Sequence, residues 1–241
     1  MNPVLLVILI SIAGPLIGSF IGVIRMPSER FTMSMLAFAA GAMLGISFLQ
    51  LIPASLDISS IPLCVIGIMA GAATMYIIDK AVPHIHPALN AQEQGCRLRR
   101  TATYLIIGIF MHNFPEGLAI GSGFAARANL GLGLCLLIGL HNIPEGIALS
   151  CPTYACGTSR FKTLIQSLLA GFPTVLGAIT GFLVGGISNR ITSSCLGFAA
   201  GAMFFITCDE LIPECHMEAE KYGHIPILSI VVGFIIGLFF C

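Results

Sequence analysis

Eight apolar runs occupy most of the chain, and each is long enough to cross a lipid bilayer. A helical crossing needs about 20 mostly apolar residues, and a helix satisfies its own backbone hydrogen bonds within the hydrocarbon. Of the 241 residues, 56% are hydrophobic and 9% are charged, against roughly 25% charged in a typical soluble domain. We therefore predict an all-α integral membrane protein forming one domain, 1–241, with spans at about 3–24, 31–53, 61–81, 101–123, 130–151, 163–187, 191–213 and 225–241.

The basic residues are unequally divided between the two sides of the predicted bundle. With eight crossings, nine lysines and arginines fall on one side and two, Arg127 and Arg190, on the other. The positive-inside rule places the richer side in the cytoplasm. The longest loop, 82–100, is then cytoplasmic, and both termini lie outside the cell (inner) membrane. The formal net charge is zero, which gives no indication of a nucleic-acid partner.

Two segments of the chain repeat each other. FAAGAMLGISFLQLIP (38–53) and FAAGAMFFITCDELIP (198–213) are identical at ten of sixteen positions. Glycine spacings extend the match, pairing Gly14, Gly18 and Gly22 with Gly177, Gly181 and Gly185, and Gly67 and Gly71 with Gly233 and Gly237. Copies five crossings apart run in opposite directions, so spans 1–3 are predicted to form an inverted repeat with spans 6–8. This architecture is typical of secondary transporters, whose substrate site lies near the bilayer midplane.

Two ionisable hexapeptides, HNFPEG (112–117) and HNIPEG (141–146), lie midway along the fourth and fifth spans. Residues four apart share a helix face, so His112 stacks over Glu116 and His141 over Glu145. Asn113 and Asn142 add amide oxygens, and Pro115 and Pro144 are expected to kink their helices. Imidazole combined with carboxylate and amide oxygen suits divalent ions such as Zn²⁺, Fe²⁺, Mn²⁺ or Co²⁺.

Other interpretations of the hexapeptides stay open at this point. The same side chains could form interhelical hydrogen bonds that fix packing, or a relay in a proton-conducting or proton-coupled carrier. A membrane-embedded metal-dependent hydrolase is a third hypothesis. An intramembrane metalloprotease would be expected to show HExxH, whereas asparagine follows each histidine here. No Walker A sequence is present either.

The paired hexapeptides, with FAAGAM and LIP in the second and seventh of eight spans, resemble the ZIP (Zrt/Irt-like) divalent-metal transporters, especially the bacterial zinc-uptake branch. The resemblance covers essentially the whole chain. It implies a 3+2+3 helix arrangement, a homodimer in the lipid bilayer, and no enzyme activity or resident cofactor. It also implies alternating-access transport of Zn²⁺, or of Fe²⁺, Mn²⁺, Co²⁺ or Cd²⁺, into the cytoplasm.

The resemblance further implies two adjoining metal sites. His112, Glu116, His141 and Glu145 would form the first, and Asn113, Glu116, Asn142 and Glu145 the second. The chain departs from the family in the sixth span, where Thr174 stands in AGFPTVLGA (170–178) at the position of a glutamate. The second site thereby loses a carboxylate, so we expect it to be weak, completed by water, or absent.

Several residues outside the hexapeptides are candidates for the ion's pathway. Asp209 and Glu210, at the predicted cytoplasmic end of the seventh span, could draw a dication from the centre. Met43 could line the outward approach, although core packing is the commoner role of methionine. His84 and His86 in the cytoplasmic loop could receive metal, and a plain solvated linker explains them equally well.

Overall fold

The computed structural model describes residues 3–81, 96–155, 157–213, 215–216 and 223–240, and the elements in them are helices. The first four runs are α1 (Pro3–Arg25), α2 (Glu29–Gly45) continued by a π-helical turn (Ile46–Leu51) into α3 (Ile52–Ile58), α4 (Ile61–Ala81) and α5 (Cys96–Ala126). The last four are α6 (Ala128–Ala155), α7 (Arg160–Ala170) followed by α8 (Phe172–Gly185), α9 (Asn189–Ile206) continued by a π-helical turn (Thr207–Leu211), and α10 (Ile225–Leu238).

These helices coincide with the predicted spans, with different ends. Within the described residues, six helical runs are long and apolar enough to cross a membrane. The prediction of an all-α integral membrane protein is therefore confirmed. The second run continues to Ile58, beyond the predicted end at 53, and α5 begins at Cys96, inside the stretch predicted as loop. The sixth run is broken at Gly171 into α7 and α8 because Pro173 lacks the N–H that would continue the helix.

Glycines hold four pairs of helices in close contact: α1 with α6, α5 with α8, α4 with α9, and α2 with α10. A Cβ placed on Gly117 of α5 would lie 2.8 Å from the backbone nitrogen of Ala178 in α8. One on Gly146 of α6 would lie 3.0 Å from Cα of Pro15 in α1. Only glycine allows backbones to approach so closely, and such small-residue contacts are typical of helix pairs in membranes.

The contacts of the glycines recur in the two halves of the chain, one turn away from the predicted register. Gly18 packs on the Ile143–Gly146 turn as Gly177 packs on the Phe114–Gly117 turn. Gly18, and not Gly14, is therefore the counterpart of Gly177. In the same way Gly71 rather than Gly67 corresponds to Gly233, since each lies against the equivalent turn of an FAAGAM segment. Glycines spaced every four residues align equally well after a shift of one turn, and contacts are needed to choose between the alternatives.

The two FAAGAM segments form the centre of the core. Met43 and Ile46 from one copy and Met203 and Ile206 from the other are almost completely buried in the same cluster. At one end of this helix pair, Ser55 Oγ donates to the carbonyl of Ser193 at 2.8 Å, and Ser193 Oγ donates to the carbonyl of Ser55 at 2.9 Å. This reciprocal serine pair fastens α3 to α9.

Each copy of the repeat leaves the α-helical geometry at the same place. The π-helical turns Ile46–Leu51 and Thr207–Leu211 both follow FAAGAM and end at equivalent leucines. They carry Gln50 in one copy and Glu210 in the other. Such turns are rare in proteins, but those that occur are often found at functional sites. The second turn places Glu210 at the site described next.

Candidate metal site

Three side chains from α5 and α6 converge midway along these helices. His141 Nε2 lies 3.0 Å from Glu116 Oε1 and 3.7 Å from Glu145 Oε1. One ligand atom from each residue lies within 4.8 Å of the others. Two ligand atoms at about 2.1 Å from a tetrahedral zinc ion are about 3.4 Å apart. Small movements would therefore let Glu116, His141 and Glu145 bind one ion.

The prolines of both hexapeptides are accommodated within continuous helices. Pro115 lies inside α5 and Pro144 inside α6. Each lacks the N–H that would bond to the carbonyl four residues earlier, that of Met111 or Leu140. The hexapeptides nevertheless keep helical spacing, so that Glu145 stands one turn from His141 and faces Glu116 across the helix pair.

Burial makes the charge of this group costly without a cation. Glu116 and His141 are completely buried, and Glu145 is 5% exposed. Among the described residues, the only basic groups at ion-pair distance from these two carboxylates belong to histidine. A buried carboxylate is tolerated only when it is paired, neutralised or bound to a metal. A dication would balance both glutamates at once.

His112 lies beside this group and has a different carboxylate partner. Its Nε2 is 3.0 Å from Oε2 of Glu210, which projects from the second π-helical turn. His112 is thus not one of the three converging ligands, although it is buried next to them. The sequence patterns did not predict this pairing. The structure joins a hexapeptide residue to a residue assigned to the cytoplasmic pathway.

The two asparagines hold their amides differently. Asn113 Nδ2 donates to the carbonyl of Ala170 at 2.6 Å, the last residue of α7, where a helix end leaves acceptors available. Its Oδ1 is buried with no hydrogen-bond partner among the described residues. When the Asn142 amide is oriented by its hydrogen-bond partners, its nitrogen lies 3.1 Å from the carbonyl of Ile138 and 3.3 Å from Glu116 Oε2.

Thr174 of α8 is close to the Asn113 side of the site. It is fully buried, and its backbone carbonyl lies against Gly117, one turn along α5 from Asn113. Its Oγ1 has no hydrogen-bond partner among the described residues. The position implied for a family glutamate therefore offers a neutral hydroxyl oxygen.

Of the remaining pathway candidates, Met43 and Asp209 lie within the described residues. Met43 is buried, and its sulfur accepts from Thr207 Oγ1 at 3.8 Å. Asp209 is exposed at the end of the seventh span. His84 and His86 lie outside the described residues. Gln50, the repeat counterpart of Glu210, is 4% exposed, and its amide atoms lack hydrogen-bond partners among the described residues. The only sequence signal for Gln50 is this alignment.

Comparisons with known proteins agree with this arrangement of residues. Residues 86–240 match the sequence model of the family described as "ZIP Zinc transporter". The zinc transporter ZupT of Salmonella paratyphi A is 35% identical over 222 residues, covering 88% of this chain and 86% of that protein. The ZupT proteins of Salmonella newport and Salmonella dublin show the same identity and coverage.

The chain belongs to the ZIP zinc transporter family. The resemblance inferred from the paired hexapeptides is thereby confirmed. As a ZIP protein, the chain is a transporter whose substrate is a divalent metal ion, and it is not an enzyme. Its apolar helices and its bacterial relatives make it a multi-pass protein of the inner membrane.

Proposed function

We propose that this ZIP protein carries Zn²⁺ into the cytoplasm by alternating access, holding the ion on Glu116, His141 and Glu145. The convergence of two buried carboxylates on one imidazole nitrogen supports this proposal most directly. A purely structural pair needs only one carboxylate for His141. A dication would bind both carboxylates and balance their charge.

His112, Asn113 and Asn142 complete the binding region. Asn113 Oδ1 is free to bind an ion while its nitrogen stays bonded to Ala170. Asn142 would turn its amide oxygen toward the ion after releasing Glu116. Because Thr174 supplies no charge, the second site proposed around Asn113 and Asn142 binds an ion weakly, with water filling the glutamate's place.

The pair of His112 and Glu210 provides the next position on the cytoplasmic side. An ion leaving the three-ligand group would meet these side chains, which already lie 3.0 Å apart. Asp209, exposed beyond them, would lead the ion to solvent. Met43, whose sulfur accepts from Thr207 Oγ1, would line the approach from outside. Pro115 and Pro144, which each leave one carbonyl of a continuous helix without its N–H partner, would allow the helix halves to move separately.

The ligand set allows other borderline ions to follow the same route. One imidazole with several oxygens accepts Fe²⁺, Mn²⁺ and Co²⁺ as well as Zn²⁺. Cd²⁺ fits least well because it favours softer ligands. We propose zinc as the principal ion, since the relatives at 35% identity are zinc transporters.

We further propose that residues 1–241 form one 3+2+3 bundle in which spans 1–3 and 6–8 are inverted copies and span 4 is the counterpart of span 5. The recurrence of the Gly18 contacts at Gly177 supports this symmetry. The charge distribution supports external termini and a cytoplasmic 82–100 loop. A phosphatase fused to the C-terminus should be active and one in the loop inactive. The opposite pattern would refute the topology.

A homodimer in the bilayer follows from the family resemblance. Single-molecule counting of labelled subunits in nanodiscs should find two copies per particle. A uniform single copy would refute it.

Transport is tested in liposomes that contain a zinc-sensitive dye. External Zn²⁺ should enter with the wild-type chain, and Glu116→Gln and Glu145→Gln should abolish influx. Asp57→Asn is the matched control because its carboxylate is 61% exposed and pairs with Arg127 away from the site. Its influx should remain near the wild-type rate.

A pH-sensitive dye in parallel vesicles separates the carrier from a proton-conducting alternative. Proton flux without zinc influx would favour the relay and contradict the proposal. Zinc influx that survives both glutamine substitutions would show that the ion crosses elsewhere.

A further inference from the structure

An apolar groove lies between two of the glycine-packed helix pairs. Gly67 brings the backbone of α4 against Ser194 in α9, and Gly177 brings α8 against Phe114 in α5. Between the α4–α9 pair and the α5–α8 pair, contacts are looser, and a cavity of about 480 Å³ remains. This volume is within the range of about 300–1,000 Å³ found for small-molecule sites.

The walls of the groove suit a hydrocarbon chain. Apolar side chains from all four helices line it, including Leu63, Ile66, Phe114, Leu118, Val184 and Phe198. Thr180 and Ser194 are also in the lining, and the hydroxyl of Thr180 already donates to the carbonyl of Leu176 at 2.9 Å. The groove therefore offers little hydrogen bonding along its length.

One cation, Arg190, stands among these lining residues. It is the second residue of the 23-residue run Asn189–Leu211, which at 1.5 Å per residue is about 34 Å long. Since the hydrocarbon core is about 30 Å thick, Arg190 lies at headgroup depth. Among the described residues no carboxylate pairs with Arg190, whereas Arg127 pairs with Asp57 at 3.3 Å.

We propose that this groove binds an anionic phospholipid, with its acyl chain between the helix pairs and its phosphate on Arg190. The charge of Arg190 matches a phosphate at the depth where bilayer phosphates lie, and the apolar walls continue from there toward the membrane interior. The acyl chain of the lipid would contact Phe114, which lies between Asn113 and Pro115 in the first hexapeptide. Bound lipid thus contacts the helix that carries Glu116.

Native mass spectrometry of the purified full chain tests this assignment without any metal. With equal amounts of phosphatidylglycerol and phosphatidylcholine, the wild-type protein should retain phosphatidylglycerol preferentially. Arg190→Gln should lower that preference about fivefold, the amount expected of one arginine near an anionic surface. Arg127→Gln, outside the groove and with its charge already paired, should leave the preference unchanged.

A second pair of variants tests the groove itself. Ala70→Phe places a ring among the lining residues and should reduce retention of both lipids. Ala73→Phe makes the same change three residues along α4, outside the lining, and should have no effect. Equal lipid retention in Ala70→Phe and wild type would overturn the proposal. Loss of the dimer in Ala70→Phe without loss of lipid would assign the groove to a second copy of the chain and overturn it as well.

Discussion

Replacing Glu116 by glutamine is expected to stabilise the metal-free protein while weakening its binding of zinc. A carboxylate near the bilayer centre costs about 2.5–3.5 kcal/mol on insertion scales, and Glu116 is completely buried. Glutamine keeps an oxygen near His141 Nε2 but exchanges a charged hydrogen bond for a neutral one, a loss of about 1.5 kcal/mol. The net gain in unfolding free energy is about 1–2 kcal/mol, or roughly 2–8 °C in Tm for a chain of this length.

With zinc bound, the wild type should become more stable than Glu116→Gln. At a concentration 100 times its Kd, a ligand adds about 2.7 kcal/mol to the unfolding free energy. Loss of even an outer-shell partner costs 10–100-fold in metal affinity, so we expect the loss of Glu116, a direct ligand, to cost at least 100-fold. At the same zinc concentration, zinc would then add only about 0.4 kcal/mol to the unfolding free energy of Glu116→Gln.

Thermal unfolding of both proteins in detergent, with zinc and with a chelator, measures these quantities together. Asp57→Asn is the control, because an exposed carboxylate should change either value by less than about 0.5 kcal/mol. The reasoning fails if Glu116→Gln is less stable than the wild type in the chelator. Glu116 would then serve chiefly to brace His141 across the helix pair.

Three further sets of substitutions test the ion's pathway, the close packing at Gly146 and the reciprocal serine pair of Ser55 and Ser193. Glu210→Gln should lower zinc influx at least tenfold while weakening equilibrium zinc binding less than the 100-fold expected of Glu116→Gln, since Glu210 lies outside the three-ligand group; a loss of binding equal to that of Glu116→Gln would make it a ligand. Gly146→Ala should lower the unfolding free energy by about 1–3 kcal/mol through overpacking. Gly133→Ala should lower it little, because a Cβ at Gly133 meets only one carbonyl oxygen, at 3.2 Å. Similar yields of folded protein from the two variants would contradict this prediction. A double-mutant cycle of Ser55→Ala and Ser193→Ala, measured by denaturation in detergent, should give a coupling energy near 0.6 kcal/mol and below about 1.7 kcal/mol. A coupling energy of zero would show that the reciprocal serine pair does not stabilise the contact between α3 and α9.

Much of the candidate site could be predicted because its residues are close in sequence. Helical spacing alone places Glu145 one turn from His141, and two hexapeptides on consecutive spans imply that their helices meet. Helix positions were equally accessible, because membrane spans must be long and apolar. These inferences require no knowledge of distant contacts.

The pairing of His112 with Glu210 could not be predicted, because it joins residues 98 positions apart through a π-helical turn. Neither apolar spacing nor composition signals such a turn. The hydrogen bond from Asn113 to the carbonyl of Ala170 could not be predicted either, because it depends on where the sixth helical run breaks. The glycine register was ambiguous because a four-residue spacing repeats every turn.

The matched π-helical turns also fix where side chains point beyond them. A π-helical turn accommodates an additional residue, which shifts every later side chain around the axis. Because Ile46–Leu51 and Thr207–Leu211 end at corresponding leucines, both copies apply this shift at the same point, and a change at Gln50 or Glu210 alters the chemistry of an equivalent position without altering the course of the helix.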